Sequence, residues 1–115
     1  MTILINMAEL PLSGETARVF EGVQYGDTNV SFFLINDASP GSGPSLHSHP
    51  YEEIFVIQAG QATFTVGDAI IEATGGQIVV APARIPHKFI NSGKALLRSI
   101  NIHPVLHMIT EWLED

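Results

Sequence analysis

The sequence predicts an all-β sandwich or barrel, and three observations lead to this prediction. Short runs rich in β-branched and aromatic residues recur along the chain, beginning with Val-Ser-Phe-Phe-Leu-Ile at residues 30–35. Glycine, proline and asparagine separate these runs at nearly regular intervals. Evidence for helix is confined to the carboxyl end. The 115 residues suffice for a single domain with one core, and we assign residues 1–115 to it.

The predicted strands follow one another through short turns. A loop rich in glycine, proline and serine, residues 37–45, follows the first strand. Gly60 lies at the turn of a hairpin, and turns that contain Gly67, Gly76 and Gly93 separate the later strands. The predicted strands cover residues 30–35, 53–58, 62–66, 69–73, 77–80, 88–91 and 96–102.

The last six residues, 110–115, are the segment with helix evidence. Thr110 has a side-chain oxygen that suits the N-cap position of a short helical turn. Trp112 and Leu113 would then pack on the barrel or on a partner subunit. We expect a short helical turn here, and a loose tail is the alternative.

The composition argues against several classes of function. The chain has 5 Lys+Arg against 12 Asp+Glu, a net charge of −7, so we expect no binding to nucleic acid or to an anionic membrane. No apolar run approaches the roughly 20 residues that span a bilayer. The amino terminus lacks the positive charge that begins a signal peptide. The chain has no cysteine, which excludes disulfides and thiolate ligands, and we expect a cytoplasmic protein.

The low content of charged residues favours an oligomer. Only 15% of the residues are charged, against roughly 25% in ordinary soluble domains. We therefore expect a homodimer, in which the partner covers part of the surface. Edge strands also need cover, and residues 2–5 are a candidate for pairing between subunits.

His47, His49 and Glu53 have a spacing that suits a shared metal site. Residues i and i+2 of a strand point to the same face, so the two imidazoles can converge on one point. Pro50 cannot donate to a sheet ladder, so we expect the strand to break or bend there. Glu53 then begins a new apolar strand, and the alternation of that strand lets its carboxylate point inward.

A fourth candidate ligand, His87, comes from a third strand, after a turn bounded by Pro82 and Pro86. Three imidazoles and one carboxylate are nitrogen and oxygen ligands of a kind that holds a divalent first-row metal. The set suits Fe(II), Mn(II), Ni(II) or Zn(II) and does not choose among them. We predict one such ion per chain, with two positions open on an octahedral ion. The predicted ligands are His47, His49, Glu53 and His87.

These spacings resemble the two sequence motifs of the cupin superfamily, the small double-stranded β-helix or jelly-roll proteins. The first motif covers residues 41–60 and the second covers residues 76–91. The resemblance implies a single jelly-roll barrel, a metal site at the four ligand positions and a homodimer. The chain departs from the family pattern at Arg84, where the family usually has glycine. The matching positions are Gly41, His47, His49, Glu53, Gly60, Gly76, Pro82, His87 and Asn91.

The cavity above these ligands is predicted to be mostly apolar. Candidates for its ligand-facing side are Phe55, Ile57, Phe64 and Phe89. Packing in the core is the alternative role for these four residues, and it is the favoured one. Few polar groups remain that could handle protons, which favours chemistry centred on the metal.

Several further polar residues lie near the motifs. We expect Tyr51 and Glu52 to face the rim of the barrel or solvent. Arg84 is expected on the surface, with contact to an anionic substrate as the alternative. His103 could reach the mouth of the cavity, but an exposed or interface position is favoured for it. His107 also follows the last strand, and the sequence assigns it no role.

Three functions are consistent with the sequence. The first is an enzyme whose metal presents a small-molecule substrate to dioxygen or polarises a carbonyl, as in a dioxygenase. The second is a metal-dependent isomerase, decarboxylase or lyase of a small oxygenated acid. The third is a binding or sensing module for a small molecule, without turnover. The fold alone does not decide among them, because one fold hosts many functions.

Overall fold

The computed structural model describes residues 2–114, so Met1 and Asp115 lie outside it. Residues 2–114 form strands, two short 3-10 helices and no α-helix. Within this range no helix is long and apolar enough to cross a membrane. The 3-10 helices are Met7–Glu9 and Gly22–Gln24. The strands are β1 (Leu12–Ser13), β2 (Ala17–Phe20), β3 (Ser31–Ala38), β4 (His47–Ser48), β5 (Glu53–Ala59), β6 (Gln61–Val66), β7 (Ala69–Thr74), β8 (Ile78–Ala81), β9 (His87–Asn91), β10 (Leu97–His103) and β11 (Glu111–Trp112).

The strands form two antiparallel sheets, as the sequence predicts. One sheet has the order β1-β2-β3-β10-β5-β8, and the other has the order β11-β4-β9-β6-β7. The core cluster takes side chains from both sheets, so their inner faces pack against each other. The seven strands predicted between residues 30 and 102 are all present, with ends that differ by three residues or fewer. The hairpin β1–β2, within residues 12–20, was not predicted.

Alternation of side chains places the core. In β5 the residues Glu53, Phe55 and Ile57 are buried, whereas Ile54 and Val56 are only partly buried. Phe55 and Phe64 pack with their ring centroids 4.9 Å apart. The structure therefore confirms core packing, the favoured role, for Phe55, Ile57 and Phe64.

The outer side of the six-stranded sheet is also apolar. The strand register aligns two rows of side chains across β2, β3, β10, β5 and β8. Nine of the ten residues in these rows are apolar, and none is acidic. We call this surface the outer apolar face. Its rows are Arg18, Leu34, Ile100, Val56 and Ile78, and Phe20, Phe32, Ile102, Ile54 and Val80.

The predicted helical turn at residues 110–115 is wrong, and Asp115 lies outside the described residues. Glu111 and Trp112 form β11, which pairs with Ser48 and His47 of β4. The amide of Leu113 donates to the carbonyl of Leu46 at 2.9 Å. A helix of six residues is costly to nucleate, whereas the edge of β4 offers ready backbone partners.

Residues 2–5 lie outside the strands of the described chain. The side chain of Leu4 is 94% exposed, so it has no cover within one copy. Pairing of this segment between subunits stays a prediction.

Two turn glycines with similar backbone angles allow a matched test of the fold. Gly60 has φ +89° and Gly76 has φ +93°, which disfavours any residue with a Cβ. A Cβ at Gly60 would lie 2.7 Å from the carbonyl oxygen of Leu96, whereas a Cβ at Gly76 would meet nothing within 4 Å. We expect Gly76→Ala to lower the free energy of unfolding by about 1–2 kcal/mol. Gly60→Ala should cost a further ~1–3 kcal/mol because the backbone must also shift. Urea denaturation measures both, and equal losses would contradict the assigned contact.

Candidate metal centre

The four predicted ligands come together at one end of the barrel. His47 is in β4, His49 directly follows that strand, Glu53 begins β5 and His87 begins β9. His47 and His87 are directly opposite each other in the β4–β9 ladder. One candidate ligand atom from each of the four residues lies within 4.8 Å of the others, and all four residues are buried. The strand breaks near Pro50, as the sequence predicts, but it ends at Ser48, so His49 lies one residue beyond it rather than within it.

Glu53 lies between the imidazoles. Its Oε1 is 3.0 Å from Nε2 of His49 and 3.0 Å from Nε2 of His87. The rings of His47 and His87 are 4.5 Å apart between centroids. The nitrogen and oxygen atoms therefore surround a small common volume.

The other ring nitrogen of each candidate ligand is next to a backbone carbonyl. Nδ1 of His47 is 2.7 Å from the oxygen of Ser45, and Nδ1 of His49 is 2.8 Å from the oxygen of Ile109. Nδ1 of His87 is 3.1 Å from the oxygen of Ile85. A carbonyl can only accept a hydrogen bond, so we assign the proton to Nδ1 in all three rings. In a neutral imidazole this leaves a lone pair on Nε2, which is the form that binds a metal.

The charges in the cluster also favour a cation. Burial by itself raises the pKa of the Glu53 carboxyl, but N–H donors or positive charge at the ring nitrogens of His103, His49 and His87 outweigh it, so that the pKa lies well below its usual range. Burial lowers the pKa of His47, which opposes a second proton on that ring. A buried carboxylate beside Nε2 lone pairs requires a positive charge between them. A bound cation supplies that charge without a further proton on any imidazole.

Two residues of the site were misplaced by sequence reasoning. His103, at the end of β10, is only 1% exposed and lines the cavity, so the favoured exposed or interface position is wrong and the alternative position at the cavity is right. Its Nε2 is 3.2 Å from Oε2 of Glu53, and its Nδ1 is 2.7 Å from the hydroxyl of Tyr51. Tyr51 is buried rather than at the rim or in solvent, whereas Glu52 is exposed as expected. The alternation of β10 carries the missed signal, because Ser99 and Asn101 share the inward face with His103.

Arg84 and His107 lie outside the cluster. Arg84 is exposed, as the favoured interpretation predicts, and it does not line the cavity. Its φ of +66° is a conformation that glycine adopts more readily, so the turn keeps its form without the family's glycine. The amide of Arg84 donates to the carbonyl of His49 at 2.7 Å. His107 is exposed, and its Nδ1 is 3.2 Å from Oε2 of Glu21.

A cavity of about 380 Å³ opens onto the cluster. Its aromatic side chains are Phe33, Phe89 and Trp112, and the Trp112 ring is 5.0 Å from the ring of His47. Phe89 thus both joins the core and lines the cavity, whereas Phe55, Ile57 and Phe64 do not line it. Across residues 2–114, no lysine or arginine lines this cavity. The space therefore suits a small molecule with an apolar body.

Comparison with known proteins identifies relatives of the fold. A family model described as the cupin domain matches residues 37–103. A structure of oxalate decarboxylase from Bacillus subtilis at pH 4.6 superposes with a TM-score of 0.80, at 20% identity over 92% of this chain. A structure of the same enzyme, used to study the EPR of its Mn(II) centers, matches equally well.

These likenesses confirm the jelly-roll fold. A further oxalate decarboxylase structure, from work on substrate binding and reaction specificity, gives a TM-score of 0.79 at 21% identity. The chain spans only 30% of the length of these structures. No curated protein sequence matches the chain.

Proposed function

This chain belongs to the cupin family, and we propose that it is a metal-dependent enzyme that acts on a small, largely apolar oxygenated molecule. The observation that carries the proposal is the orientation of three imidazoles. Three backbone carbonyls hold Nδ1 of His47, His49 and His87, which leaves the Nε2 lone pair of each ring free. Nε2 of His49 and Nε2 of His87 each lie 3.0 Å from Oε1 of Glu53. Such partners are typical of histidines that bind metal.

We propose that one divalent ion binds per chain, with His47, His49, Glu53 and His87 as ligands. Neutral nitrogen and carboxylate oxygen ligands suit Mn(II), Fe(II), Ni(II) or Zn(II). The Mn(II) centers of the structurally similar oxalate decarboxylase make Mn(II) the first ion to test. When bound, the ion would supply Lewis-acid polarisation of a substrate oxygen or a site for dioxygen.

The rest of the cavity would select and shield the substrate. Phe33, Phe89 and Trp112 offer apolar surface beside the ligand cluster, so they favour a substrate with a flat or branched apolar part. Exclusion of water by these rings would strengthen electrostatic interactions at the cluster. Apart from the proposed ligands, the titratable side chains among the described lining residues are Glu15 and His103, and this small number supports the dioxygenase-like reaction as the first candidate.

A metal-dependent decarboxylase, isomerase or lyase of a small acid is the second candidate. The fold of oxalate decarboxylase, which this chain shares, favours it. A dicarboxylate would have to bind here without help from a lysine or arginine among the described lining residues. That need makes a neutral or weakly charged substrate the better match. A binding module without turnover is the third candidate.

The single tryptophan of the chain allows metal binding to be measured directly. Because the ring of Trp112 is 5.0 Å from His47, a paramagnetic ion such as Co(II) at the cluster should quench its fluorescence with a one-to-one end point. His49→Ala should abolish this quenching. Glu52→Ala is the matched control and should leave it intact, because Glu52 is exposed. Loss of quenching in Glu52→Ala but not in Glu53→Ala would show that the ligand register is wrong.

Metal should also stabilise the fold by mass action. An ion that binds only the folded chain adds ~2.7 kcal/mol at a hundredfold excess over its dissociation constant. We expect added metal to raise the midpoint temperature of thermal unfolding of the wild-type chain. The midpoint temperature of His49→Ala should not change. His49→Ala should still fold, because His49 is not a member of the apolar core cluster.

Turnover assays separate the candidate reactions. We expect the Fe(II)-loaded protein to take up dioxygen in the presence of a 1,3-diketone or a phenol, and His49→Ala to take up none. Release of carbon dioxide from oxalate or a keto acid by the Mn(II)-loaded protein, without net uptake of dioxygen, would instead support the second candidate. Binding of these compounds without any turnover would support the third.

We also propose that two copies associate through the outer apolar face. Each copy carries a net charge of −7, and this face has no acidic residue to repel a second copy. Ile78 and Val80 are 64% and 54% exposed on it. The same face on both copies can form a symmetric contact about a twofold axis.

A cytoplasmic location and the absence of nucleic-acid partners stay predictions.

Sedimentation of charged variants tests the dimer. Val80→Lys should convert the dimer into a monomer of 12.4 kDa, because a lysine would be buried without a partner. Ile70→Lys is the matched control, since Ile70 is exposed on β7 of the other sheet. A wild-type monomer at micromolar concentration, or dissociation by Ile70→Lys alone, would contradict the proposal.

A further inference from the structure

The four buried histidines of the site differ in the partner of their Nδ1 atom. In His47, His49 and His87 that partner is a carbonyl, which can only accept. In His103 the partner is the hydroxyl of Tyr51, which can donate or accept. The first three rings must therefore carry the proton on Nδ1, whereas His103 can take either tautomer.

The neighbours of Tyr51 settle the tautomer of His103. The amide of Ile109 donates to the Tyr51 oxygen at 3.2 Å. The hydroxyl proton can then go to Nδ1 of His103 at 2.7 Å or to the carbonyl of Ile109 at 3.4 Å. The shorter bond is the stronger one, and the Ile109 carbonyl already accepts from His49 at 2.8 Å. His103 thus accepts at Nδ1 and keeps its own proton on Nε2.

This tautomer places an N–H group beside the carboxylate of Glu53. Nε2 of His103 is 3.2 Å from Oε2 of Glu53, but the two groups are not aligned as a hydrogen bond. Among residues 2–114 it is the one buried side-chain nitrogen or oxygen without an aligned partner. A buried donor that stays unsatisfied is costly, and the terminal torsion of a glutamate is soft, so Oε2 can turn to accept this proton.

The geometry points to His103 as a positioning residue for Glu53 rather than a fifth metal ligand. His103 would hold Oε2, which leaves Oε1, the oxygen between His49 and His87, as the one available to a bound metal ion. Tyr51 fixes the tautomer in which His103 can do this. The inference rests on the proposed metal site, and it adds a hydrogen-bonded chain from Ile109 through Tyr51 and His103 to Glu53.

The test measures metal alone, by titration of the Trp112 fluorescence with Co(II). Outer partners of metal ligands typically contribute 10-fold to 100-fold to metal affinity. We expect His103→Leu to lower the affinity by that factor and Tyr51→Phe, which removes a single oxygen, to lower it about 10-fold. His103→Gln keeps an N–H donor of similar reach and should restore most of the loss. His107→Leu is the matched control, because His107 is exposed, and should leave the affinity unchanged.

A count of bound imidazoles distinguishes positioning from ligation. Pulsed EPR of the Cu(II)-loaded protein should count the same number of Cu(II)-bound imidazoles in wild type and in His103→Leu. It should count one bound imidazole fewer in His49→Ala. A lower number in His103→Leu would identify His103 as a ligand and overturn the inference. Unchanged Co(II) affinity in both His103→Leu and Tyr51→Phe would overturn it as well. Absence of metal binding by the wild-type chain would instead refute the proposed function itself, and circular dichroism of each variant excludes a failure to fold.

Discussion

The buried carboxylate of Glu53 is the constraint on which the site depends. An anion inside a barrel loses its hydration, and this loss must be offset by positive charge or by hydrogen-bond donors. Glu53 is 3% exposed, and three imidazole nitrogens lie within 3.2 Å of its two oxygens. Each of those nitrogens comes from a different part of the chain. The register of the strands around β5 is therefore tied to the electrostatic balance of one side chain.

The apolar core keeps that register. Phe55 and Ile57 follow Glu53 on the inner side of β5, and they pack in a cluster that draws on both sheets. A slip of one residue would turn Glu52 inward and expose the core residues. The fold thus places Glu53 at low dielectric by burying its apolar neighbours, and a cation held between Glu53 and the histidines would balance the charge. Core and site are coupled through alternation along a single strand.

The sequence predicts the parts of the site that depend on local geometry. His47 and His49 are two residues apart, and Glu53 begins an apolar alternation, so their faces follow from strand periodicity. His103 was misplaced because its partners, Tyr51 and Glu53, are about fifty residues away in the sequence, and no local spacing reports such a contact. Its strand also places the polar residues Ser99 and Asn101 on the buried face. Polar residues in a strand normally indicate the face that is exposed to solvent, so this pattern was misleading. The strand β11 was missed for the same reason, since its partner β4 lies more than sixty residues earlier.

The segment after β10, whose structure the sequence did not predict, holds the predicted ligands in place. The carbonyl of Ile109 orients His49, and Trp112 both pairs with His47 in the β4–β11 ladder and packs near its ring. Ile109 and Trp112 lie beyond residues 37–103, the part of the chain that the family model matches. The two motifs therefore supply the atoms of the proposed metal site, while residues outside them fix two of the imidazoles and one wall of the cavity. Two chains with identical motifs can then differ in metal affinity and substrate, because the segment after β10 decides how the shared ligands are held and what surrounds them.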